Sequence, residues 1–414
     1  MCAKCKNAGP EGDPQSSIAR KKKAAFGDDA LEKVHALPQE HPSNDLLERA
    51  ALAQALLDWF RRNMRPLPWR RDYTPYQVWV SEIMLQQTQM ERAVSYFERW
   101  MRRFPDVRTV AEADTDEVLK AWEGLGYYSR VRNLHKAARQ IMLRHEGELP
   151  LDHASLLALP GIGEYTAGAI LSIAANQAVP AVDANVERVF SRLFDIDVPV
   201  KSPIAADYMQ HIAAGLIPQG QARLFNQALM ELGALVCGKT PRCGECPLTR
   251  FCQARRLNIV ADRPVPGKKY GTTSLEIISG VLVHENRVFI QRRLDSGVWA
   301  GLWEFPGGRL EPGEEPGQGI VREFCEETEF PVLVRTCLGV VRHAYTRYRI
   351  TMHCFVCAFA PAAATAGGLP EPVLRAATEY RWVHPAELER YTLPAGHRKL
   401  LDAWLPDLLR IVER

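Results

Sequence analysis

The spacing of the hydrophobic residues changes once along the chain, and that change limits the folds the chain can adopt. From Leu46 to about Arg255 the apolar residues recur at helical intervals, without strand-like alternation. From Leu275 to Val283 they alternate as in a strand, and a turn centred on Asn286 leads to a second strand, Val288 to Gln291. An all-α part followed by a part that begins with a β-hairpin is therefore expected.

The segment from Arg256 to Thr273 separates the two patterns, and its proline, glycine and charged residues predict a linker. The last part mixes strands with two helical stretches and is expected to be a separate α+β domain. The clearest helical segments before the linker are Leu46 to Leu57, Val78 to Tyr96 and Ser155 to Ala174. The predicted divisions are a disordered tail (1–45), a helical domain (46–255), a linker (256–274) and an α+β domain (275–414).

Composition adds few constraints. A chain of 414 residues is too long for one compact core, and 46% hydrophobic with 24% charged residues is ordinary for globular protein. The chain shows no run of membrane-spanning length and no signal-peptide pattern, so a cytoplasmic protein is expected, at the nucleoid if the source is bacterial. The tail carries the basic run Arg20 to Lys23, and its Cys2 and Cys5 are expected to be an unpaired thiol pair.

A glycine-containing turn lies between two helical stretches, from Leu159 to Gly163, and Tyr165 follows it. Gly161 and Gly163 allow backbone N–H groups to point outward at the start of a helix, where they bind phosphate without reading sequence. The alternative is a simple helix–helix turn. Further along, Asp183 precedes a helix and is suited to cap it, which is its plainest role.

Together the two motifs resemble the helix-hairpin-helix DNA glycosylase superfamily, in which an Asp at the place of Asp183 takes part in the chemistry. A Lys at the position of Tyr165 would be the amine nucleophile of a bifunctional glycosylase/lyase. Tyrosine cannot form a Schiff base, so the resemblance implies a monofunctional enzyme.

Upstream motifs narrow the resemblance to MutY-type adenine DNA glycosylases, over residues 46 to 410. They are Trp69–Arg70, the segment Val78 to Gln89 around Glu82, and Gly124 to Arg130. Read without the resemblance, the Glu82 segment is a helix start with a glutamine-rich solvated side. The Asp183 motif departs from the family in Ala184, where a glycine is expected, and alanine would be strained there only at positive φ.

The resemblance assigns chemistry to two carboxyl groups. Glu82, in an apolar pocket, would protonate the departing adenine as a general acid. Asp183 would stay ionised and stabilise the positive charge on the sugar, with Asn185 and Tyr165 as polar neighbours. Reaching adenine requires base flipping. The residues expected to assist are Gln87 and Tyr127 in the duplex gap, Thr88 and Leu125 near the damaged base, and Trp69, Arg70, Leu85 and Gln227 around adenine.

Four cysteines are clustered at Cys237, Cys243, Cys246 and Cys252. Four thiolates at such spacings can enclose one tetrahedral zinc ion or one iron–sulfur cubane. The resemblance favours a 4Fe–4S cluster, although the first spacing is one residue shorter than is usual in the family. Basic residues in the same loops, Lys239, Arg242 and Arg250, are candidates for phosphate contacts or for a solvated surface.

The last part contains a segment from Gly308 to Phe330 that resembles the Nudix box, with Glu329 in place of its last glycine. In Nudix hydrolases the glutamates hold a divalent metal, so a nucleotide diphosphatase is an alternative function. In the MutY family the Nudix-like domain recognises oxidised guanine instead, and His343, Tyr345 and Thr346 match its recognition loop. Ion pairs with Arg322 are another reading of the glutamates. Trp299, Leu302, Trp303 and Phe305 are expected in the core.

The sequence thus predicts a monofunctional glycosylase that removes adenine opposite 8-oxoguanine or guanine in double-stranded DNA, acting as a monomer and without a membrane. A glycosylase for thymine or uracil is a second hypothesis, which Gln87, Tyr127 and the last domain disfavour. A nucleotide diphosphatase fused to a DNA-binding helical module is the third.

Overall fold

A computed structural model describes residues 45–267, 271–361 and 371–413. The predicted disordered tail, with Cys2 and Cys5, lies outside these residues apart from Asp45. Contacts between Cα atoms divide the chain into two compact units. The first unit runs to Arg65 and resumes with Leu171–Gly267, and the second joins Pro66–Ile170 to the residues from Lys268 onward.

The helical part is built from short and medium helices, several of which begin at a side-chain cap such as Thr74 or Ser202. Over the described residues the α-helices are α1 (Leu46–Asn63), α2 (Pro75–Leu85), α3 (Met90–Arg103), α4 (Val107–Glu112), α5 (Thr115–Trp122), α6 (Ser129–Arg144), α7 (His153–Leu157), α8 (Glu164–Ala169), α9 (Ala184–Leu193), α10 (Pro203–Leu216), α11 (Ala222–Leu235), α12 (Gln253–Arg256), α13 (Pro316–Thr328) and α14 (Ala395–Val412). No helix in these ranges is long and apolar enough to cross a membrane.

The helical segment predicted from Val78 to Tyr96 is two helices, because α2 ends at Leu85 and α3 begins at Met90. The polar residues between them offer no apolar side chain to continue a buried stripe, and Gln87 has a φ of 54°. The segment predicted from Ser155 to Ala174 is likewise divided, at the turn where Gly161 has a φ of 80°.

In the first unit, α1, α9, α10 and α11 enclose one apolar cluster. Phe60, Phe190 and Phe225 are fully buried in it. Burying an aromatic side chain of this size contributes roughly 1.5–3 kcal/mol relative to leaving it exposed. This cluster fixes the N-terminal end of α9, which follows Asp183.

The last part of the second unit contains a six-stranded mixed sheet in the order β3-β2-β1-β5-β4, with β6 paired to β2. The strands are β1 (Thr273–His284), β2 (Arg287–Arg293), β3 (Trp303–Glu304), β4 (Val332–Tyr345), β5 (Tyr348–Phe359) and β6 (Ala377–Val383). The predicted hairpin is confirmed by the antiparallel pairing of Val283 with Val288. Its turn residues Glu285 and Asn286 both have positive φ, as a type I′ turn requires.

Two helices cover this sheet. α13 contributes Ile320 and Phe324 to one apolar cluster, and α14 contributes Leu400 and Leu401 to another. Leu302, Trp303 and Phe305 are buried as expected. Trp299 is only half-buried and lines a cavity, so its prediction as a core residue was wrong.

Candidate active site

Glu82 is a buried carboxyl group on α2, with 6% of its surface exposed. It lies in the last turn of that helix and not in the first, because the helix starts at Pro75 after the cap Thr74. Its neighbours Val80 and Ile83 are buried with it. The Glu82 side chain is therefore largely shielded from water.

Tyr165, on α8, donates a hydrogen bond from its hydroxyl to Glu82 Oε2 at 2.5 Å. The turn before α8 places this side chain. Gly161 has positive φ, and a Cβ there would lie 2.7 Å from Asn133 Cβ, so glycine is required at that position. Gly163 then caps α8. The predicted place of Tyr165 beside Asp183 stays a prediction.

Asp183 caps the N-terminus of α9 in the first unit, as predicted from the sequence. Its Oδ1 accepts the N–H groups of Asn185 (2.9 Å) and Val186 (2.8 Å), and its Oδ2 accepts Asn185 Nδ2 at 2.7 Å. Burial nevertheless raises the pKa of Asp183 above its usual value, because desolvation outweighs these hydrogen bonds. Ala184 is the first helical residue and does not have positive φ, so the departure from glycine causes no strain.

Arg188 connects this cap to the cysteine loop. Its Nη2 donates to Asn185 Oδ1 (2.8 Å), and its Nε donates to the carbonyl of Cys237 (2.8 Å). Helix α11 also packs closely against this cap at Gly233, which has no side chain. A Cβ on Gly233 would lie 2.7 Å from Asn185 Cβ. Sequence reasoning missed Arg188, although its position three residues after Asn185 on one helix face was a usable signal.

Two residues predicted to enter the duplex, Gln87 and Tyr127, have left-handed backbones with φ of 54° and 46°. Arg130 holds both turns. Its guanidinium donates to the carbonyls of Ile83 (2.9 Å), Met84 (3.1 Å), Leu125 (3.1 Å) and Gly126 (3.1 Å), and also to that of Gln86. The sequence motif included Arg130 but gave it no role.

The other residues predicted to contact bases are divided between the two units. Leu125 is buried, and Thr88 Oγ1 lies 3.4 Å from Arg130 Nη1. Trp69 is buried edge-on against Phe97, with ring centroids 5.2 Å apart. Arg70 and Leu85 are half-buried in the second unit, and Gln227 is buried in the first unit, where its Nε2 donates to the Arg223 carbonyl. Their assignment to an adenine pocket stays a prediction.

The four clustered cysteines line one cavity of about 30 Å³ in the first unit. Arg192 lies against them. It donates from Nη1 to Cys237 Sγ at 3.4 Å, and its own carbonyl accepts from Cys252 Sγ at 3.4 Å. Its buried positive charge would offset the charge of thiolates.

Four cysteine thiols around one cavity are a donor set for either a zinc ion or an iron–sulfur cubane. The cavity exceeds the space of one water molecule, which needs about 10–15 Å³. In the described ranges, no group of three or more His, Cys, Asp or Glu side chains is placed so that it could hold a metal ion. Four thiols around a small cavity, with a cation beside them, are a donor set that suits an iron–sulfur cubane.

In the last part, His343 and Tyr345 lie at the end of β4, and Thr346 follows in the β4–β5 turn with a φ of 51°. The Tyr345 ring contacts Tyr127, with centroids 6.0 Å apart, and Trp299, at 5.2 Å. Tyr345 of the predicted recognition loop therefore lies beside Tyr127, one of the residues predicted to enter the duplex.

Three glutamates of the Nudix-like segment pair with Arg322, as one of the interpretations of the sequence predicted. Arg322 pairs with Glu314 (2.8 Å), Glu323 (3.0 Å) and Glu326 (3.0 Å). Glu329, which replaces the last glycine of the Nudix box, ends α13 with a φ of 58°. This left-handed conformation is the one that glycine commonly adopts at the end of a helix. An ion pair with Arg375 holds the Glu329 side chain.

Comparisons with known proteins agree with both halves. Residues 80–213 match the HhH-GPD superfamily of base excision DNA repair proteins, and residues 278–403 match the NUDIX domain. Adenine DNA glycosylase of Mus musculus is 32% identical over 75% of this chain and 71% of its own length. The chain belongs to the adenine DNA glycosylase family. Adenine DNA glycosylase of Homo sapiens is also 32% identical, over 75% of this chain and 67% of its own length.

As an adenine DNA glycosylase, the chain is a hydrolase of N-glycosidic bonds in base excision repair, and its fold is a helix-hairpin-helix glycosylase with a Nudix-like domain. A solved structure of a thermostable thymine-DNA glycosylase is similar to this chain, with 24% identity and a TM-score of 0.47. The match covers 50% of this chain and 97% of the glycosylase. The MutT protein of Methanosarcina mazei is similar to 35% of the chain, with 24% identity and a TM-score of 0.29.

Proposed function

We propose that this glycosylase is monofunctional and removes adenine opposite 8-oxoguanine or guanine in double-stranded DNA. It acts as a monomer in the cytoplasm, at the nucleoid if the source is bacterial. The observation that carries the proposal is the buried Glu82 carboxyl group with the Tyr165 hydroxyl bound to it at 2.5 Å. A buried acid next to a non-basic partner is suited to protonate a leaving base.

Glu82 acts as the general acid. Cleavage of the bond between adenine and deoxyribose places negative charge on the base, and a proton from Glu82 to a ring nitrogen neutralises it. General acid catalysis contributes about two to four orders of magnitude in rate. Tyr165 orients the carboxyl group through its hydrogen bond, and because it has no amine it cannot form a Schiff base with the sugar.

Asp183 carries the negative charge that stabilises the oxocarbenium-like sugar. Its two oxygens accept three hydrogen bonds from Asn185 and Val186, which fix the carboxylate. Water then completes the hydrolysis at the sugar carbon. Fixed charge of this kind is usually the largest single contribution to catalysis.

Recognition of the lesion is assigned to the residues around Tyr127 and Tyr345. The contact between their rings (6.0 Å) and the neighbouring Trp299 supports a surface that receives the partner base. Stacking on an aromatic ring contributes about 1–3 kcal/mol per base. Gln87 and Thr88 are proposed to fill the gap and contact that base from the α2–α3 turn.

The four cysteines are proposed to hold a 4Fe–4S cluster, with Arg192 and Arg188 fixing the surrounding loop. When bound, the cluster supplies structural cross-linking of the loop. Iron and acid-labile sulfide in anaerobically purified protein test this directly, and stoichiometric zinc would contradict it. Cys243→Ser should lower the iron content, whereas Cys325→Ser, at an exposed thiol outside the cluster, should not.

The activity is tested with duplexes that contain one A:8-oxoguanine, A:G or A:T pair. After alkaline heating, cleavage of the adenine strand is expected for the first two and at least tenfold less for A:T. Glu82→Gln should abolish cleavage while duplex binding remains. Glu164→Gln is the matched control, because Glu164 is exposed and pairs with His153.

Two results would refute the proposal. Equal cleavage of A:T and A:8-oxoguanine would remove the lesion specificity, and substantial turnover by Glu82→Gln would remove Glu82 from the acid role. Borohydride trapping separately tests the monofunctional claim, because a covalent DNA adduct would reveal an amine nucleophile.

A further inference from the structure

The residues that lead into Asp183, from Val179 to Val182, belong to no helix or strand. Their main-chain groups therefore have no ladder and no helical turn to pair with, although buried N–H and C=O groups need partners. Ala181 is 1% exposed, so its N–H group is shielded from water. The partners of this segment come from a side chain on α11.

That side chain is Asn226, which is fully buried at 0% exposure. Its Oδ1 accepts the N–H of Ala181 at 3.1 Å, and its Nδ2 donates to the carbonyl of Val179 at 2.9 Å. The orientation of the amide is fixed, because an N–H group can only donate and a carbonyl can only accept. Pro180, between the two bonded residues, has no N–H group of its own. The Asn226 amide therefore pairs with this segment as a neighbouring strand would.

Helix α11 also holds the chain on the other side of Asp183. Gly233 lies seven residues after Asn226, which places both on one face of the helix, about 10.5 Å apart along its axis. The Gly233 carbonyl accepts Arg188 Nη2 at 2.8 Å, close to the cap formed by Asp183. All of these residues belong to the first unit. One helix thus fixes the main chain before Asp183 through Asn226 and the start of α9 through Gly233.

We propose that Asn226 is a positioning residue for Asp183. By holding Val179 and Ala181, it sets where the chain enters α9 and so where the carboxylate lies relative to the sugar. Two extended residues span about 6.6 Å, so a shift at Ala181 reaches Asp183. A misplacement of about 1 Å in a catalytic site can reduce the rate roughly a hundredfold. This inference rests on the proposed role of Asp183.

The first test is Asn226→Leu, which keeps the branching at Cγ and removes both hydrogen bonds. Single-turnover release of adenine is measured on the mispaired duplex that the unaltered chain cleaves fastest. The rate should fall at least about tenfold, or about 1.4 kcal/mol in activation free energy, while the Kd for the duplex changes by less than about twofold. A merely structural role would lower the free energy of unfolding and leave the rate of the folded protein unchanged.

Asn226→Asp is the second test and decides the matter if Asn226→Leu does not fold. A protonated carboxyl group has one donor and one acceptor, as the amide does, whereas an ionised one has only acceptors. Burial raises the pKa of a carboxyl group, so lower pH restores the missing donor. The rate of Asn226→Asp, divided by that of the unaltered chain, should therefore rise at least about fivefold between pH 8 and pH 6.

Asn176→Asp is the matched control. Asn176 makes the same two kinds of bond, accepting the Arg223 N–H at 2.9 Å and donating to the Gly220 carbonyl at 2.8 Å. It is exposed, so water replaces a lost bond, and it lies seven residues before Asp183. Its rate should stay within about twofold of the unaltered chain at both pH values.

The outcomes separate this inference from the proposed function. It is overturned if folded Asn226→Leu, or Asn226→Asp at pH 8, releases adenine as fast as the unaltered chain, or if Asn176→Asp loses as much rate. Asp183→Asn is measured beside them. If Asp183→Asn is inactive and the Asn226 variants are fully active, only the positioning role fails. If Asp183→Asn keeps the full rate, the proposed role of Asp183 fails, and this inference fails with it.

Discussion

At the scale of single residues, sequence reasoning identified chemical types better than supporting contacts. Asp183 was predicted as a helix cap, and the structure shows that cap. Arg188 and Arg130 were not given roles, because their partners are backbone carbonyls brought together only by the fold. A donor's acceptor cannot be deduced from sequence when that acceptor is an ordinary main-chain group.

Burial of Asp183 predicts a shifted pH dependence. The pKa of Asp183 is raised, and the proposed role requires its ionised form, so the rate should fall as the pH drops through that raised pKa. The acid limb of the single-turnover rate should therefore lie above pH 4, near which an ordinary Asp titrates (about 3.9). Circular dichroism at each pH would show that the fold is intact. A rate that stays level down to pH 4 would contradict the assignment.

At the scale of helices and strands, periodicity located the segments and missed the breaks. The apolar pattern of α2 and α3 looked continuous, because the four-residue turn between them is about as long as one helical repeat of 3.6 residues. The β1–β2 hairpin was easier to predict, since an Asn-centred turn between alternating segments is a local signal. The end of α2 depends on Arg130, which is distant in sequence.

Replacement of Arg130 should release two turns at once. Arg130→Met leaves several buried carbonyls without a donor, at about 1–3 kcal/mol for each that water cannot reach. A loss of roughly 3 kcal/mol or more in the free energy of unfolding is expected, measured by urea denaturation. Arg144→Met, at an exposed position on the same helix, should change it by less than about 0.5 kcal/mol. Equal stabilities of the two variants would show that Arg130 does not hold the turns.

At the scale of the whole molecule, the order of an all-α part and an α+β part was predictable from the change in periodicity. The division into two compact units was not predictable in this way, because the second unit joins residues 66–170 to residues after 268. Long-range ion pairs make that connection, including Arg292 with Asp116 (2.7 Å) and Arg398 with Glu123 (2.8 Å). Single charged residues on α5, β2 and α14, or just after α5, carry no local signal of such pairing.

Glu123 should anchor the start of α14. Its Oε1 accepts Arg398 Nε (3.0 Å), Arg398 Nη2 (2.8 Å) and the Leu393 N–H (3.3 Å). Glu123→Gln removes the charge and should increase hydrogen exchange at residues 391–398 by about fivefold, read by mass spectrometry; that factor corresponds to roughly 1 kcal/mol. Glu117→Gln breaks only the exposed pair with Arg103 and serves as the control. Unchanged exchange at 391–398 in Glu123→Gln would remove this anchoring role.

The discontinuous second unit also has a consequence for synthesis. Residues 66–170 leave the ribosome before Leu171–Gly267 have been made, and their partners after Lys268 follow only then. At about 5–20 residues per second, translation of the intervening segment takes roughly 5–20 s. During that interval Asp116 and Glu123 have no Arg292 or Arg398 to pair with. The nascent helices must therefore remain soluble on their own or be shielded by chaperones until the later residues emerge.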